Sequence, residues 1–234
     1  MINTLLELFE LIVPRGLLGG SKPRTNTVTK AIWHHANGTM ATPCAKTQHH
    51  NVDIINEAHK QRWPGFTSQK YRNAMGELFT IGYHQVIDFN NNIVVRTRDF
   101  AEEGAHCIGM NRSSVGTLMI GNYDGCSGEY VPPEKEHLIY EAWKNIKAFA
   151  PHLTLIDNVP HRKYATKSCF GDSLPDDYVQ QVILRQMPHV DVIIDAEEEK
   201  RVASLQKALI ELLQRYIALL TQRMTGKRLS AREI

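Results

Sequence analysis

Short apolar runs, separated by polar and turn-forming residues, fill the middle of this chain of 234 residues. Runs of this length between turn signals are typical of buried strands. The predicted strands are the five runs 30–34, 83–88, 93–96, 114–121 and 153–156. Three consecutive asparagines at 90–92 separate the second run from the third, so these two strands are predicted to form a hairpin.

Two stretches between these runs follow the helical repeat instead. Residues 53–62 predict a helix capped by Asp53, and residues 133–149 predict a longer helix with its apolar side chains on one side. Strands and helices therefore alternate along the chain. This alternation predicts an α/β sheet with helices packed on it.

The two ends of the chain differ from this central pattern. A capping box formed by Thr4 and Glu7, followed by apolar residues at helical spacing, predicts a short amphipathic helix over 3–13. Residues 16–28 are rich in Gly, Ser and Thr and predict a linker. The predicted domains are an N-terminal helix with its linker (1–27), a central domain (28–180) and a C-terminal helical appendage (181–234).

The C-terminal appendage carries the strongest helical pattern. Asp195 and three nearby glutamates predict the helix start, and the pattern ends near Gly226. One apolar stripe has 3-4-3-4-3 spacing: Val202, Leu205, Leu209, Leu212, Tyr216 and Leu219. A second apolar stripe lies beside it: Ile210, Leu213, Ile217, Leu220 and Met224. Because so wide an apolar face is unfavourable in water, we expect this helix to pack on the central domain, on the N-terminal helix or on copies of itself.

Composition and charge place the chain among ordinary globular proteins. Apolar residues make up 42% of the chain and charged residues 22%, and the formal net charge is +2. No nucleic-acid partner is predicted, because there is no strong basic field. The first residues lack a basic region and carry Glu7 and Glu10, unlike a secretory signal, and their apolar run is too short to span a bilayer. We therefore expect a chain made in the cytoplasm, without a signal peptide or a transmembrane segment.

Four cysteines are scattered along the chain without CxxC spacing. In a chain of this length they are too few for a disulfide scaffold, and they fit a reducing compartment. Cys44, Cys107 and Cys126 are interpreted as small packing residues. Whether any two of them form a bridge is left open.

One polar loop collects residue types that bind metals. The stretch 159–170, VPHRKYATKSCF, holds His161 and Cys169 eight positions apart, with Lys167 between them. Histidine and cysteine are zinc ligands, but this pair also fits a surface loop with a semi-buried cysteine. Another histidine, His34, ends the first predicted strand beside His35, so at least one imidazole is expected at the rim of the sheet.

Four motifs in order, IWHHA, GYHQVID, GAHCIGMNRSSVGTLMIG and PHRKYATKSC, resemble type 2 N-acetylmuramoyl-L-alanine amidases. That family includes phage lysozyme-type amidases and peptidoglycan-recognition proteins. The resemblance covers roughly residues 28–175 and leaves out both terminal helices. It implies a central mixed β-sheet flanked by helices, with the terminal helices as additions. It also implies a Zn²⁺ ion held by His34, His161 and Cys169.

The resemblance further implies the catalytic and substrate-binding residues. Tyr83 and Lys167 match the catalytic positions. Lys167 would stabilise the charge of the tetrahedral intermediate, and Tyr83 would orient the attacking water, share its proton or bond the oxyanion. For His84, a supporting or core role is equally open. The residues expected to contact substrate are His106, which matches a cleft histidine, with Asn111, His84 and His35 as further candidates.

One position departs from part of this family. Some members carry a glutamate on the strand that reads SVGTLMIG in this chain, and Leu118 occupies that place. The sequence therefore resembles the subset that uses tyrosine and lysine, which phage enzymes typify. The resemblance also leaves a cytoplasmic muropeptide-recycling amidase as an option, but that class usually has the glutamate, so Leu118 disfavours it.

The sequence as a whole predicts a zinc-dependent amidase that hydrolyses the bond between N-acetylmuramic acid and L-alanine in peptidoglycan. A phage endolysin or a virion-associated lytic enzyme fits a chain without its own export signal. The first would act on the cell wall after release from the host cytoplasm, and the second would be carried in the virion. The alternative is a non-catalytic module of the same fold that binds peptidoglycan or serves assembly. The terminal helices are expected to mediate homo-oligomer formation or virion assembly, unless they pack on the central domain.

Overall fold

The computed structural model describes residues 21–36, 44–187 and 196–225. These residues belong to two units, Met1–Met187 and Pro188–Ile234. Three features predicted from the sequence lie outside the described residues: the helix over 3–13, the cap at Asp195 and the helix end near Gly226.

A five-stranded mixed sheet forms the centre of the first unit. Its strands are β1 (Lys30–His35), β2 (Gln85–Asp88), β3 (Ile93–Arg96), β4 (Ser114–Met119) and β5 (Asn158–Pro160). They lie in the order β3-β2-β4-β1-β5, and every neighbouring pair is parallel except β2 with β3. With helices flanking it, this sheet confirms the predicted fold class.

The hairpin between β2 and β3 turns at the predicted asparagines. The carboxylate of Asp88 accepts hydrogen bonds from the backbone N–H groups of Asn90 and Asn91, each at 3.0 Å. Asn92 then adopts a φ of 56°, a left-handed conformation that asparagine tolerates better than most residues. These bonds join residues close in sequence, so the turn is encoded locally.

The described residues of the first unit contain three α-helices beside the sheet: α1 (Val52–Arg62), α2 (His137–Phe149) and α3 (Tyr178–Gln186). The prediction that Asp53 caps the first helix is wrong. Asn51 is the cap, and its side chain accepts a hydrogen bond from the backbone N–H of Ile54 at 3.0 Å. Asp53 lies in the first turn, where its negative charge complements the helix dipole.

Two other segments differ from the predicted elements. The stretch 133–149 begins with a separate 3₁₀ turn, Pro133–Lys135, before α2. The strand predicted over 153–156 is wrong, because Thr154 and Asp157 cap each other around a 3₁₀ turn and pairing with β1 begins only at Asn158. Helix α3 was not predicted, although its buried Val179, Val182 and Ile183 have helical spacing.

The two faces of the sheet pack against different parts of the first unit. Trp33 of β1 belongs to a core cluster that includes the apolar residues of α2 and α3. Ile32 points to the opposite face, where it packs with Cys107. Because side chains alternate along a strand, His34 shares the face of Ile32. His35 lies on the face of Trp33, so the sheet separates these two neighbouring histidines.

A disulfide joins Cys44 and Cys126, which are 82 residues apart in sequence. The interpretation of these two as separate packing residues is therefore wrong, and the bridge does not fit the expected reducing compartment. Glu129 fastens the same two loops, because its carboxylate accepts hydrogen bonds from the backbone N–H groups of Thr47 and Asn122 at 2.9 and 2.6 Å.

The end of the predicted linker packs on the first unit. The guanidinium of Arg24 donates to the carbonyls of Phe100 and Arg112, both at 2.8 Å. Burial lowers the pKa of Arg24 to about 10, and the negative charge of Glu103 opposes this effect. Val28 is also buried. Arg24 and Val28 therefore anchor this stretch to the rest of the unit, directly before β1 begins.

The second unit contains the predicted long helix, α4 (Ala196–Thr225). Between residues 204 and 221, where the side chains of this helix are described, the large apolar ones are exposed, from 70% for Leu205 to 39% for Leu220. Among the described residues, no helix combines the length and the apolar content that crossing a bilayer requires.

Candidate metal centre

Two neighbouring parallel strands bring two histidines to the same edge of the sheet. In the pairing of β1 with β5, Trp33 lies level with Pro160. The next residue on β1 is His34, and the residue after β5 is His161, which begins a 3₁₀ turn. Their ring centroids are 4.4 Å apart. Strand register therefore brings together two side chains that are far apart in sequence.

The loop after β5 folds back and returns Cys169 to His34. The backbone N–H of Arg162 donates to the carbonyl of Cys169. The guanidinium of Arg162 also donates to the carbonyls of Gly171 and Leu174, at 2.6 and 2.7 Å. The sulfur of Cys169 lies 3.7 Å from Nδ1 of His34. One arginine thus braces a loop whose polar sequence provides little apolar packing.

The three side chains form a cluster of possible ligands. One nitrogen each from His34 and His161 and the sulfur of Cys169 all lie within 4.8 Å of one another. Nδ1 of His161 is buried without a hydrogen-bond partner among the described residues. An unpaired buried polar atom is unfavourable, and a bound cation would satisfy it. Since zinc takes histidine nitrogen and cysteine sulfur as ligands, these residues fit a zinc ion.

Burial keeps both imidazoles in the neutral form that a metal requires. Burial lowers the pKa of His34 well below 6.5, and His106 lowers it further. Burial lowers the pKa of His161 to about 4, with a contribution from the charge of Lys167. Burial raises the pKa of the Cys169 thiol to about 12. A cation at the cluster would favour the thiolate and oppose this last effect.

Tyr83 lies beside the same cluster, and Lys167 is two residues before Cys169 in the same loop. The ring of Tyr83 is 4.9 Å from the ring of His34. Burial raises the pKa of Tyr83 above 10, so its hydroxyl stays protonated and can donate a hydrogen bond. Lys167 is exposed. Its charge adds to burial in lowering the pKa of His161 and opposes burial at Cys169, as expected for a cation close to both.

His106 and Asn111, two of the residues expected to contact substrate, lie behind the cluster. Nδ1 of His106 is 3.1 Å from Nε2 of His34, and His106 is only 9% exposed. The side-chain oxygen of Asn111 accepts hydrogen bonds from the backbone N–H groups of His106 and Cys107, both at 2.9 Å. Substrate contact by His106 and Asn111 stays a prediction.

His84 and His35, the other two residues expected to contact substrate, form hydrogen bonds within the protein. His84 is fully buried, and its Nδ1 accepts from the backbone N–H of Gly116 at 3.0 Å. His35 lies on the opposite face of the sheet, where its Nδ1 accepts from the backbone N–H of Tyr123 at 3.0 Å. Their substrate contacts also remain a prediction, which burial does not favour.

Leu118 is the β4 residue that lies level with His34 in the pairing of β1 with β4. It is 2% exposed. This is the position that carries a glutamate in some of the amidases that the sequence resembles. A leucine here supplies no carboxylate beside the first ligand.

One histidine near the site, His59 of α1, was not predicted. Its ring lies 5.6 Å from the ring of Tyr83, and its Nδ1 accepts from the backbone N–H of Gly82 at 3.1 Å. Both contacts place it directly behind the catalytic candidate. The available signal was helical spacing, because His59 follows the buried Ile55 by one turn of α1.

Solved structures with similar folds include two that align with a TM-score of 0.50. The Ph2119 endolysin from Thermus scotoductus MAT2119 bacteriophage Ph2119 is 16% identical, and the match covers 70% of this chain and 89% of the endolysin. PGRP-SA of Apis mellifera is also 16% identical, with 72% of this chain and 88% of that protein covered. These two likenesses show that the chain shares its fold with a phage endolysin and with a peptidoglycan-recognition protein.

A third structure, the N-acetylmuramoyl-L-alanine amidase LysC from Clostridium intestinale URNW, is 21% identical at a TM-score of 0.47. That match covers 70% of this chain and 91% of LysC. No protein-family model matches the chain, and no curated protein does.

Proposed function

We propose that this chain is a zinc-dependent amidase that hydrolyses the bond between N-acetylmuramic acid and L-alanine in peptidoglycan. The observation that carries the proposal is the cluster of His34, His161 and Cys169, with its ligand atoms within 4.8 Å of one another. The fold supports it, because a phage endolysin is among the solved structures that share it.

The cluster would hold the zinc ion with His34 from a strand and with His161 and Cys169 from the loop braced by Arg162. When bound, the ion would supply Lewis acidity and lower the pKa of a water molecule to about 7. The protein's own part is to keep both imidazoles neutral by burial and to fix the three donors before the metal arrives.

Lys167 would stabilise the negative charge that develops on the carbonyl oxygen of the scissile amide. Its side chain is exposed, so it can reach a bound substrate, and its charge already acts on His161 and Cys169. Loss of one such oxyanion donor typically costs about 2.7–4 kcal/mol of barrier.

Tyr83 would orient the attacking water or donate a hydrogen bond to the oxyanion. Its raised pKa keeps the proton on the hydroxyl, so donation is the role that burial favours. Leu118 provides no carboxylate base beside His34. We therefore assign proton handling at the reacting atoms to Tyr83 and Lys167.

A binding module is the second candidate function, because PGRP-SA of Apis mellifera has the same fold. Such a module would bind peptidoglycan without cutting it. The ligand cluster favours the amidase, since binding alone does not require two neutral imidazoles and a thiol around one point.

Purified sacculi distinguish the two candidates. We expect the zinc-loaded protein to release new L-alanine amino groups, a chelator to stop the release, and added zinc to restore it. Cys169→Ala is the matched control, because it removes one ligand and leaves the surface around the cluster unchanged. Binding to sacculi without any release of amino groups would support the module and overturn the amidase.

We further propose that the enzyme is a phage endolysin or a virion-associated lytic protein. The endolysin fold supports this. Leu118, in place of a glutamate, argues against a muropeptide-recycling enzyme. Timed expression in a host, with and without a protein that opens the inner membrane, tests it, since lysis should require the opening.

The exposed apolar face of α4 is proposed as an assembly surface. The side chains of its two apolar stripes are 39–70% exposed between Leu205 and Leu220. An apolar face this wide is unfavourable in water, so we propose that it is covered in a homo-oligomer or in a virion.

A further inference from the structure

A chain of hydrogen-bonding groups runs from His34 away from the ligand cluster. Nε2 of His34 lies 3.1 Å from Nδ1 of His106. On the far side of that ring, Nε2 of His106 lies 3.5 Å from the hydroxyl of Ser114. The Ser114 hydroxyl in turn donates to the carbonyl of Met110 at 2.7 Å.

The Met110 carbonyl, at the end of this series of hydrogen bonds, determines which atoms of Ser114, His106 and His34 carry the protons. A carbonyl only accepts, so Ser114 uses its single proton there and has lone pairs left for His106. Nε2 of His106 then carries a proton, and its Nδ1 is an acceptor. His34 must therefore carry its proton on Nε2, which leaves a lone pair on Nδ1, the atom that faces Cys169 at 3.7 Å.

We propose that His106 is a positioning residue that fixes the tautomer and the ring orientation of His34, and so presents Nδ1 to the metal. This inference rests on the proposed zinc site. It gives His106 the role of a hydrogen-bond partner of the ligand His34, in place of the expected contact with substrate. Partners of this kind orient metal-bound histidines in many proteins.

The surroundings of His106 are shaped to hold its ring at this point. A β-carbon at Gly116 would lie 2.5 Å from Cγ of His106, and one at Gly104 would lie 2.6 Å from its Cδ2. Both glycines therefore leave room that the ring fills. Asn111 fixes the backbone at His106 by accepting its N–H at 2.9 Å. The ring position is thus defined independently of the hydrogen bond to His34.

Leucine and asparagine at position 106 form a matched pair for the test, because their shapes are similar. His106→Leu removes the acceptor, whereas His106→Asn places an amide oxygen close to the former Nδ1. Competition with a chromogenic chelator at pH 7.5 measures zinc affinity. We expect His106→Leu to bind zinc about 10–100-fold more weakly. His106→Asn should recover most of the affinity. Equal affinity in wild type and His106→Leu would overturn the proposal.

Nitrogen-15 NMR of the metal-free wild type reads the tautomer directly and needs no substitution. We expect His34 to carry its proton on Nε2. A proton on Nδ1 would overturn the inference even if a variant had lost zinc. Because this readout requires neither hydrolysis nor bound metal, it decides the inference separately from the proposed function, which fails if zinc-loaded protein releases no amino groups.

Discussion

The first unit and helix α4 contain the same kind of apolar repeat, with opposite outcomes. In α2, Leu138 and Ile146 are 1% and 0% exposed, whereas Leu205 and Leu212 of α4 are 70% and 64% exposed. Periodicity predicts that a helix forms and which of its sides must be covered. It does not specify what covers that side, since the sheet that covers α2 is built from distant parts of the chain.

This difference separates the proposed chemistry from the proposed assembly. The ligands, Tyr83 and Lys167 all lie between residues 34 and 169, within the first unit. Helix α4 contributes none of the residues to which we assign a step. Changes in the first unit should therefore alter hydrolysis and leave association intact, and changes in α4 should do the reverse.

Removal of a ligand should have the largest effect. His34→Ala, His161→Ala and Cys169→Ala are each expected to abolish zinc binding and hydrolysis, because two ligands cannot hold the ion in a catalytic geometry. Metal content and release of amino groups from sacculi measure the two losses. Sedimentation should show that all three variants have the same association state as the wild type. A metal-free variant with full lytic activity would reject the ligand assignment.

Loss of the proposed oxyanion donor should rank second. We expect Lys167→Ala to fold, keep its zinc and lose about 10²–10³-fold in kcat. Lys163→Ala is the matched control, because Lys163 is an exposed lysine of the same loop whose charge pairs with Asp176 at 4.0 Å. Wild-type rates in Lys167→Ala, or an equal loss in Lys163→Ala, would contradict the assigned role.

Acid should destabilise the first unit through His59, and α4 contains no histidine. Burial lowers the pKa of His59 from 6.5 to about 3, with smaller contributions from His49 and Arg62. Above pH 6.5 both the folded and the unfolded chain are neutral at this position. As the pH falls from 6.5 towards 3, the unfolded chain takes up the proton first, so stability decreases. At pH 5 the loss is about 2 kcal/mol.

His59→Asn isolates this contribution, because asparagine keeps an acceptor for the N–H of Gly82 and cannot titrate. Urea unfolding at pH 7.5 and pH 5 measures the free energy of unfolding. We expect the wild type to lose about 2 kcal/mol more than His59→Asn between these two pH values. Identical losses in the two proteins would show that His59 is not held neutral by burial.

Removal of α4 should have the smallest effect on hydrolysis. A chain that ends at residue 192 should hydrolyse sacculi at the wild-type rate and show a lower oligomeric state by light scattering. Leu212→Glu should have the same effect in the full chain, since it puts a charge on the apolar side. Gln214→Glu, an exposed polar position of α4, should leave association unchanged. A monomer before and after truncation would contradict self-association.

Local pattern was sufficient for much of the fold. The hairpin at Asn90–Asn92 closes through bonds to Asp88, and the helical repeat of α4 lies within one continuous stretch. Errors arose where one local signal outweighed another. Pairing with β1 begins at Asn158 rather than at the apolar residues before it, because Thr154 and Asp157 close a turn there.

The candidate site also combines features that the sequence predicted with features that it did not. His34, His161 and Cys169 were identified from motifs, and the fold brings them together at one edge of the sheet. The disulfide between Cys44 and Cys126 was not identified, and neither was the bond between His34 and His106. The sequence does not specify how close such residues lie in the folded protein.

By itself, the sequence determined which residue types were available and most of the segments that become strands and helices, because both follow from neighbours along the chain. Tertiary structure alone decided which side chains meet. The register of β1 with β4 and β5 places His34 beside Leu118 and at the end of β5, where His161 follows. Alternation along β1 sends His35 to the other face. Hydrogen bonds across the sheet fix that register, and they form only when segments far apart in sequence pack together.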